Sequence, residues 1–360
     1  MIYEYWLASL YRIDCGKRRQ AVELAGSAEK LFCMEEKELR ELHFFTEDET
    51  VQILQSRQKF DPEAEYCRLV EQGISFLPVT DERYPEKLRQ IYDPPFALYY
   101  KGHLPEERRK SAAIVGARKC SEYGRSIAKK LGEVLAAHDV QVISGMAAGI
   151  DCAGHAGALT GKGATFAVLG CGCDICYPRS ATNIYRNIPE QGGGILSELA
   201  PGVMPMPHFF PMRNRITSAL SDIVIVVEAR ERSGSLITAD CALEQGKDIY
   251  AVPGRFMEPL SMGCNRLIEQ GAGILYNIET FLKNTGIAKE KEKEVKKFEK
   301  LTLEKEEMMV YTCLDLHPKF LNLIIEETGL NLLTVLHALE LLRKKHLVQE
   351  TFQNYFCRML

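Results

Sequence analysis

The sequence predicts an α/β protein. Its centre is an extended Rossmann-like, doubly wound, mainly parallel sheet, with a helical module before it and a winged-helix-like domain after it. Three observations carry this reading. Between about residues 111 and 275 short apolar runs alternate with helix-length segments, the rhythm of βαβ units. The runs end in glycine-bearing turns, at Gly116, Gly145, Gly149, Gly170, Gly172, Gly234 and Gly254, the strand ends where such sheets bind ligands. A length of 360 residues also asks for more than one typical domain.

Taken in order, residues 1–80 read as short helices, with apolar positions at three- and four-residue steps interrupted by Gly or Ser. "ISFLPVTDERYPEKLRQIYDPPFALYYKG" then runs strand, helix, double proline, strand. The sheet domain is placed at 81–283. It opens with strand "SAAIVGARK" and helix "SEYGRSIAKKLGEVLAAHD", and continues through strands "VQVISGM", "ATFAVLGCG", "GILSEL", "DIVIVVEA" and "DIYAVPG" with helices between them. Residues 284–305 carry nearly balanced charge and read as a linker. Residues 306–360 give three helices and a hairpin, the winged-helix order.

Composition narrows the function. Net charge is −4, so an anion site must be local. Residues 101–186 supply one, with 12 Lys plus Arg against 7 Asp plus Glu. No segment has the length and apolarity of a membrane span, and no leader-like start is seen; the expectation is a cytoplasmic protein. The twelve cysteines are scattered through a large chain, which argues against a secreted disulfide scaffold. The cluster Cys171, Cys173 and Cys176 lacks a second paired knuckle, although Cys152 or His155 could add a ligand. Core thiols are the expectation, with no metal and no cofactor.

Four turns have the chemistry of an anion site. Gly116 and Arg118 sit where a strand enters a helix, offering backbone N–H groups and a bidentate donor. Ser144 and Gly145 form the second turn, and Ser233, Gly234 and Ser235 the third, with more hydroxyls than a helix cap needs. The fourth is "HFFPMRNRITSAL", which places Phe210, Arg213, Asn214 and Arg215 near a helix start. Four such turns on one sheet edge make a groove that tracks several phosphates, with Phe209 or Phe210 as a stacking platform.

These motifs, with "GIDCAGHAGAL", "LSELAPG" and "GCNRLIEQGAGIL", resemble the DNA-processing protein A family, also called DprA or Smf, over residues 80–280. The resemblance implies a non-enzymatic, dimeric protein with no catalytic residue. It would bind single-stranded DNA and load RecA recombinase in natural transformation. It places DNA contacts on Arg118, on Phe210, Arg213, Asn214 and Arg215, and on Ser233, Gly234 and Ser235. Dimer and recombinase surfaces fall around 243–248 and 265–274. The helical start resembles the family's N-terminal module, of the SAM or helix-hairpin-helix kind. The tail departs from a DNA-gripping winged helix: 306–360 has 5 Lys plus Arg against 7 Asp plus Glu and no glycine in its hairpin, so it is expected to contact protein.

The competing reading is a nucleotide phosphoribohydrolase, with Ser233, Gly234 and Ser235 holding a ribose phosphate and Glu244 as acid or base. That class uses a P-G-G-x-G-T turn, which this chain lacks. A nicotinamide enzyme would call for a G-x-G-x-x-G fingerprint and an acidic residue about 20 positions on, and the chain has neither.

Overall fold

The computed structural model describes residues 1–288 and 303–359. Six helices open the chain: α1 (Ile2–Ser9), α2 (Cys15–Ala25), α3 (Ala28–Cys33), α4 (Glu36–Glu41), α5 (Glu47–Lys59) and α6 (Pro62–Glu71). Local chemistry sets their starts. Asp14, Ser27 and Asp61 accept hydrogen bonds from first-turn N–H groups, and Thr46 with Glu49 forms a reciprocal capping box.

Their apolar faces bury Trp6, Leu7, Leu31, Leu39 and Ile53, with Ile13 between α1 and α2, in one core with Phe76, Tyr99 and Ala167 of the sheet. The helices are therefore packed onto the sheet rather than set apart from it. The boundary also moves. β1 (Ser75–Pro78) pairs with β2 (Ala97–Gly102), with the short α7 (Glu86–Arg89) between them, so the sheet begins ahead of residue 81.

The remaining strands and helices alternate: β3 (Ser111–Val115), α8 (Glu122–Ala137), β4 (Gln141–Ser144), α9 (Ile150–Thr160), β5 (Thr165–Val168), α10 (Thr182–Glu190), β6 (Gly194–Ser197), α11 (Phe209–Ala219), β7 (Ile223–Val226), α12 (Gly234–Glu244), β8 (Asp248–Ala251), α13 (Met262–Glu269), β9 (Gly273–Ile274) and α14 (Ile278–Asn284). The nine strands lie in the order β1-β2-β6-β5-β4-β3-β7-β8-β9. The pairs β1–β2 and β2–β6 are antiparallel, and the rest are parallel.

β3 and β7 are buried along their whole length, which is why "SAAIV" and "IVIV" show no polar alternation. The chain winds one way from β3 through β4, β5 and β6, then returns to place β7 on the other side of β3. That reversal is a topological switch point, and it leaves a crevice at the carboxyl ends of β3 and β7.

Ile287 and Ala288 still pack on the α/β core, so this unit runs past residue 283. The linker expected at 284–305 falls mostly on 289–302, outside the described residues. Beyond it come α15 (Lys305–Cys313), β10 (Lys319–Phe320), α16 (Leu321–Thr328), α17 (Leu332–Lys344), β11 (Val348–Phe352) and β12 (Tyr355–Arg358). Three strands in the order β10-β12-β11 and the three helices enclose a separate core built on Val310, Ile324, Val335, Leu339 and Leu342. Asn354, at φ 64°, takes the left-handed position in the β11–β12 turn that a glycine would otherwise fill. Among the described residues no helix is long and apolar enough to cross a membrane.

Candidate nucleic-acid interface

The first turn leaves β3 at Gly116. A Cβ there would sit 2.7 Å from Ile150 Cγ1 and 2.9 Å from the Glu228 carbonyl, so glycine is needed for close approach. Ser121 caps α8 by accepting from Gly124 N, and Glu228 accepts from both the Ser121 N–H and its hydroxyl. A protein carboxylate thus already occupies this helix start, against the expectation that a phosphate would lie there. What the turn presents is Arg118 and Lys119, both exposed and without an ion pair among the described residues.

The second turn is structural at its serine. Ser144 is fully buried and donates to the Ile114 carbonyl at 2.6 Å, so its hydroxyl is spent inside the sheet. Gly145 does border the crevice. Its N–H donates to Asp151 Oδ2 at 3.0 Å, and a Cβ on it would lie 2.1 Å from Arg213 Nη1. The missing side chain is what lets the Arg213 guanidinium lie against the backbone.

Helix α11 decides the fate of its two arginines. Successive residues turn by about 100°, so Phe210, Arg213, Asn214 and Thr217 share one side, whereas Arg215 points about 200° away from Arg213. The first four all line the crevice. Arg213 is buried, donates from Nη1 to the Val168 carbonyl, and forms part of the floor. Burial lowers its pKa, and Asp151 works against that shift. Burial likewise pushes the Asp151 carboxyl up, with Arg213 and the Gly145 N–H opposing it.

Arg215 does not reach the crevice. Its Nη1 and Nη2 donate to Glu198 at 2.8 and 2.7 Å, and its Nε donates to the Asp93 carbonyl at 2.9 Å. Burial alone would lower its pKa, but Glu198 and Asp93 more than reverse that. It is a fully paired strut between α11 and the loop before β2. Placing it among the groove cations is corrected by the helix geometry.

The third turn, Ser233 to Ser235, caps α12, with the two hydroxyls 2.8 Å apart. Asn214 Nδ2 donates to the Gly234 carbonyl at 3.2 Å, tying this turn to α11. Ahead of it stand Arg230 and Arg232, exposed and lining the same cavity of about 510 Å³ at the β3–β7 switch point. That cavity brings together Gly116, Arg118, Gly145, Phe210, Arg213, Asn214, Ser233, Gly234 and Ser235; Ser144 and Arg215 lie outside it.

The two phenylalanines expected as a stacking platform part ways. Phe209 is buried, edge-on to Tyr11 at 6.0 Å, so core packing takes it. Phe210 stands in the wall with the Arg118 guanidinium 4.8 Å from its ring centroid and Tyr177 at 5.7 Å, tilted by 34°. Tyr177, Gly170 and Leu169 form a second hollow that shares Arg118 and Phe210 with the main cavity.

Four residues lining the two hollows escape sequence reasoning: Lys119, Arg230, Arg232 and Tyr177. The run "EARERSGS" carried a signal for two of them, since charges flanking a phosphate-type turn share its rim. Glu228 had no such signal, because its role depends on β7 lying beside β3.

Glu244 is exposed at the far end of α12, eleven residues long, hence about 15 Å from the Ser233 turn. It is not placed to act on a ligand held there. Cys171 and Cys173 are buried, and burial first of all pushes their thiols up to about 12, as it does for Cys152. No group of three or more His, Cys, Asp or Glu side chains among the described residues is placed to hold a metal.

Residues 75–286 match the family model described as DNA recombination-mediator protein A. The chain is 42% identical over 197 residues to DNA processing protein DprA of Streptococcus pneumoniae, covering 55% of this chain and 69% of that one. It is 41% identical over 222 residues to protein Smf of Escherichia coli, covering 62% and 59%. The solved structure of the pneumococcal protein aligns over 79% of this chain and 97% of that one, with TM-score 0.66 and 31% identity. A second solved structure, DNA processing protein A from Helicobacter pylori, is described for its single-stranded DNA binding mode. It aligns over 59% of this chain and 95% of that one, with TM-score 0.54 and 32% identity. With a match over more than half its length and the switch-point cavity in the matched region, the chain belongs to the DNA recombination-mediator protein A family.

Proposed function

We propose that this chain binds single-stranded DNA along the cavity at the β3–β7 switch point. The observation that carries the reading is a set of four cations, Arg118, Lys119, Arg230 and Arg232, all exposed and lining one cavity beside the Phe210 ring. None of the four makes an ion pair among the described residues, whereas Arg215 nearby is fully paired. Positive charge left free in a concave site favours a polyanion, and rings within it favour unpaired bases. Contacts of this kind read backbone and stacking rather than base edges, so sequence preference is slight. The Helicobacter pylori relative, described for binding single strands, points the same way.

The mediator role extends this proposal. The chain, as a homodimer in the cytoplasm, hands the bound strand to RecA recombinase in natural transformation or recombination. The surface for that lies on α12 to β9, where Leu243 and Ile274 are exposed. The tail, with the helix and strand order of a winged helix, contacts protein. Exposed Leu332, Leu333 and Leu336 on α17 stand where a DNA-reading helix would carry cations.

Fluorescence anisotropy with a labelled poly-dT strand and its duplex, at two salt concentrations, tests the binding. Salt-sensitive binding that prefers the single strand is expected. No binding to either by folded protein would overturn the reading. RecA filament assembly on strands coated with single-strand-binding protein tests the transfer: acceleration by this chain is expected, and none would remove the loader role.

A further inference from the structure

Helix α17 is apolar on two sides, and the core of its own unit takes one of them. Successive residues turn by about 100°, which gathers Val335, Ala338, Leu339 and Leu342 on a single arc. Those four are buried in the core of the C-terminal unit. Leu332, Leu333 and Leu336 fall on an adjoining arc about 100° wide. They are 48%, 79% and 39% exposed. Apolar surface gathered in this way on a helix marks a contact face.

The charges around that face decide what covers it. From residue 306 to 359 every Lys and Arg is already engaged within the unit. Lys319 pairs with Glu327 at 2.6 Å, Arg343 with Glu350 at 3.2 Å, Lys344 with Glu340 at 2.9 Å and Lys345 with Glu307 at 2.7 Å. Arg358 donates to the Tyr311 and Thr312 carbonyls at 2.9 and 3.2 Å. A nucleic acid therefore finds no free cation here to hold its phosphates. A partner recognised by opposite charge is served no better. Glu340, Arg343 and Lys344, which prolong the leucine arc along α17, are neutralised in place.

A second copy of the same face suits it. Two-fold contacts set like against like, so they favour a surface that brings no unpaired like charges together. The leucine face of α17 is such a surface. Antiparallel crossing at its first half also opposes the two helix dipoles, and lets the charged ends diverge into water. The leucines offer on the order of a few hundred Å² on each copy. A standard stable interface takes roughly 800 Å² per partner, so this contact is weak and concentration-dependent.

We propose that the exposed leucine face of α17 pairs with the same face of a second copy of this chain. The proposal names the tail's partner, and rests on the reading above that the tail contacts protein.

The test places a photoreactive benzoylphenylalanine at position 333 of the full chain. Heavy-isotope and ordinary chains are mixed, allowed to exchange, and irradiated between about 1 and 100 µM. Expected are adducts joining position 333 to residues 331–344 of a chain of the other isotope, rising with concentration. Adding Leu336→Glu, an exposed change that leaves the core intact, should cut their yield about tenfold. Adducts confined to the same chain or to the α/β unit overturn the pairing, as does a yield that survives Leu336→Glu. Strand affinity of protein lacking residues 303–360 separates the two failures. A loss of about tenfold faults the tail reading and the pairing with it. Unchanged affinity without mixed-isotope adducts faults the pairing alone.

Discussion

Arg118→Ala and Arg215→Ala should fail in opposite ways, although one α11 residue and one loop residue carry the same charge. Arg118 is exposed, pairs with no carboxylate among the described residues, and stacks on Phe210 at 4.8 Å. It is one of four free cations, so if each meets one phosphate the salt slope is about 0.7 × 4, near 2.8. Affinity should then fall about 50-fold between 50 and 200 mM salt. Removing Arg118 lowers the slope to about 2.1, and the same salt step costs about 20-fold. Arg215 is bound at 2.8 and 2.7 Å to Glu198, with side-chain exposures of 13% and 10% for the pair. Removing it strands a nearly buried carboxylate, a loss of about 3–5 kcal/mol in folding stability, with the salt slope of folded protein unchanged. Anisotropy across salt and urea unfolding read the two quantities separately. A slope that drops in Arg215→Ala without a stability loss, or stays put in Arg118→Ala, would refute the assignment of roles.

The other expectations are briefer. Phe210→Ala should weaken binding of poly-dT by about 1–3 kcal/mol, and Phe210→Trp should retain it; an Ala variant that binds normally removes the platform. Removing residues 303–360 should leave strand affinity within about twofold, since that unit has its own core; a tenfold loss would put DNA contacts in the tail. His155 is fully buried, its Nδ1 paired with Thr165, and burial together with Arg213 pushes its pKa down to about 3. The folded ring stays neutral while the unfolded one takes a proton below about pH 6.5. Its stabilising contribution is therefore full above that value and falls by about 1.4 kcal/mol per pH unit beneath it. Urea unfolding at pH 7 and 5 should show about 2 kcal/mol more acid sensitivity in the native protein than in His155→Asn, and equal sensitivity would contradict this.

The alternation of apolar runs and glycine turns made the sheet legible, because a strand buried on both faces has no other way to read. The antiparallel edge was harder. β1 is only four residues long and follows a helical run, so its membership depends on pairing with β2, a non-local fact. Within the site, Arg118, Phe210 and the Ser233–Ser235 turn were readable as residue types suited to phosphates and bases. The split between Arg213 and Arg215 was also available, since two residues apart on a helix means opposite sides. Their proximity in sequence hid it. Ser144 could not have been judged from sequence, because its hydroxyl bonds a carbonyl on the neighbouring strand β3. Glu228 illustrates the same limit: it caps a helix 107 residues upstream.

The most direct test of strand binding at the switch point is photocrosslinking. A poly-dT strand carrying 5-iodouracil is irradiated with the full chain, and adducts are mapped by mass spectrometry. The account predicts adducts on Phe210 or Tyr177, competed away by unlabelled single strand and not by duplex. Adducts confined to residues 1–71 or 303–359 would contradict it, because the strand would then lie elsewhere on the molecule.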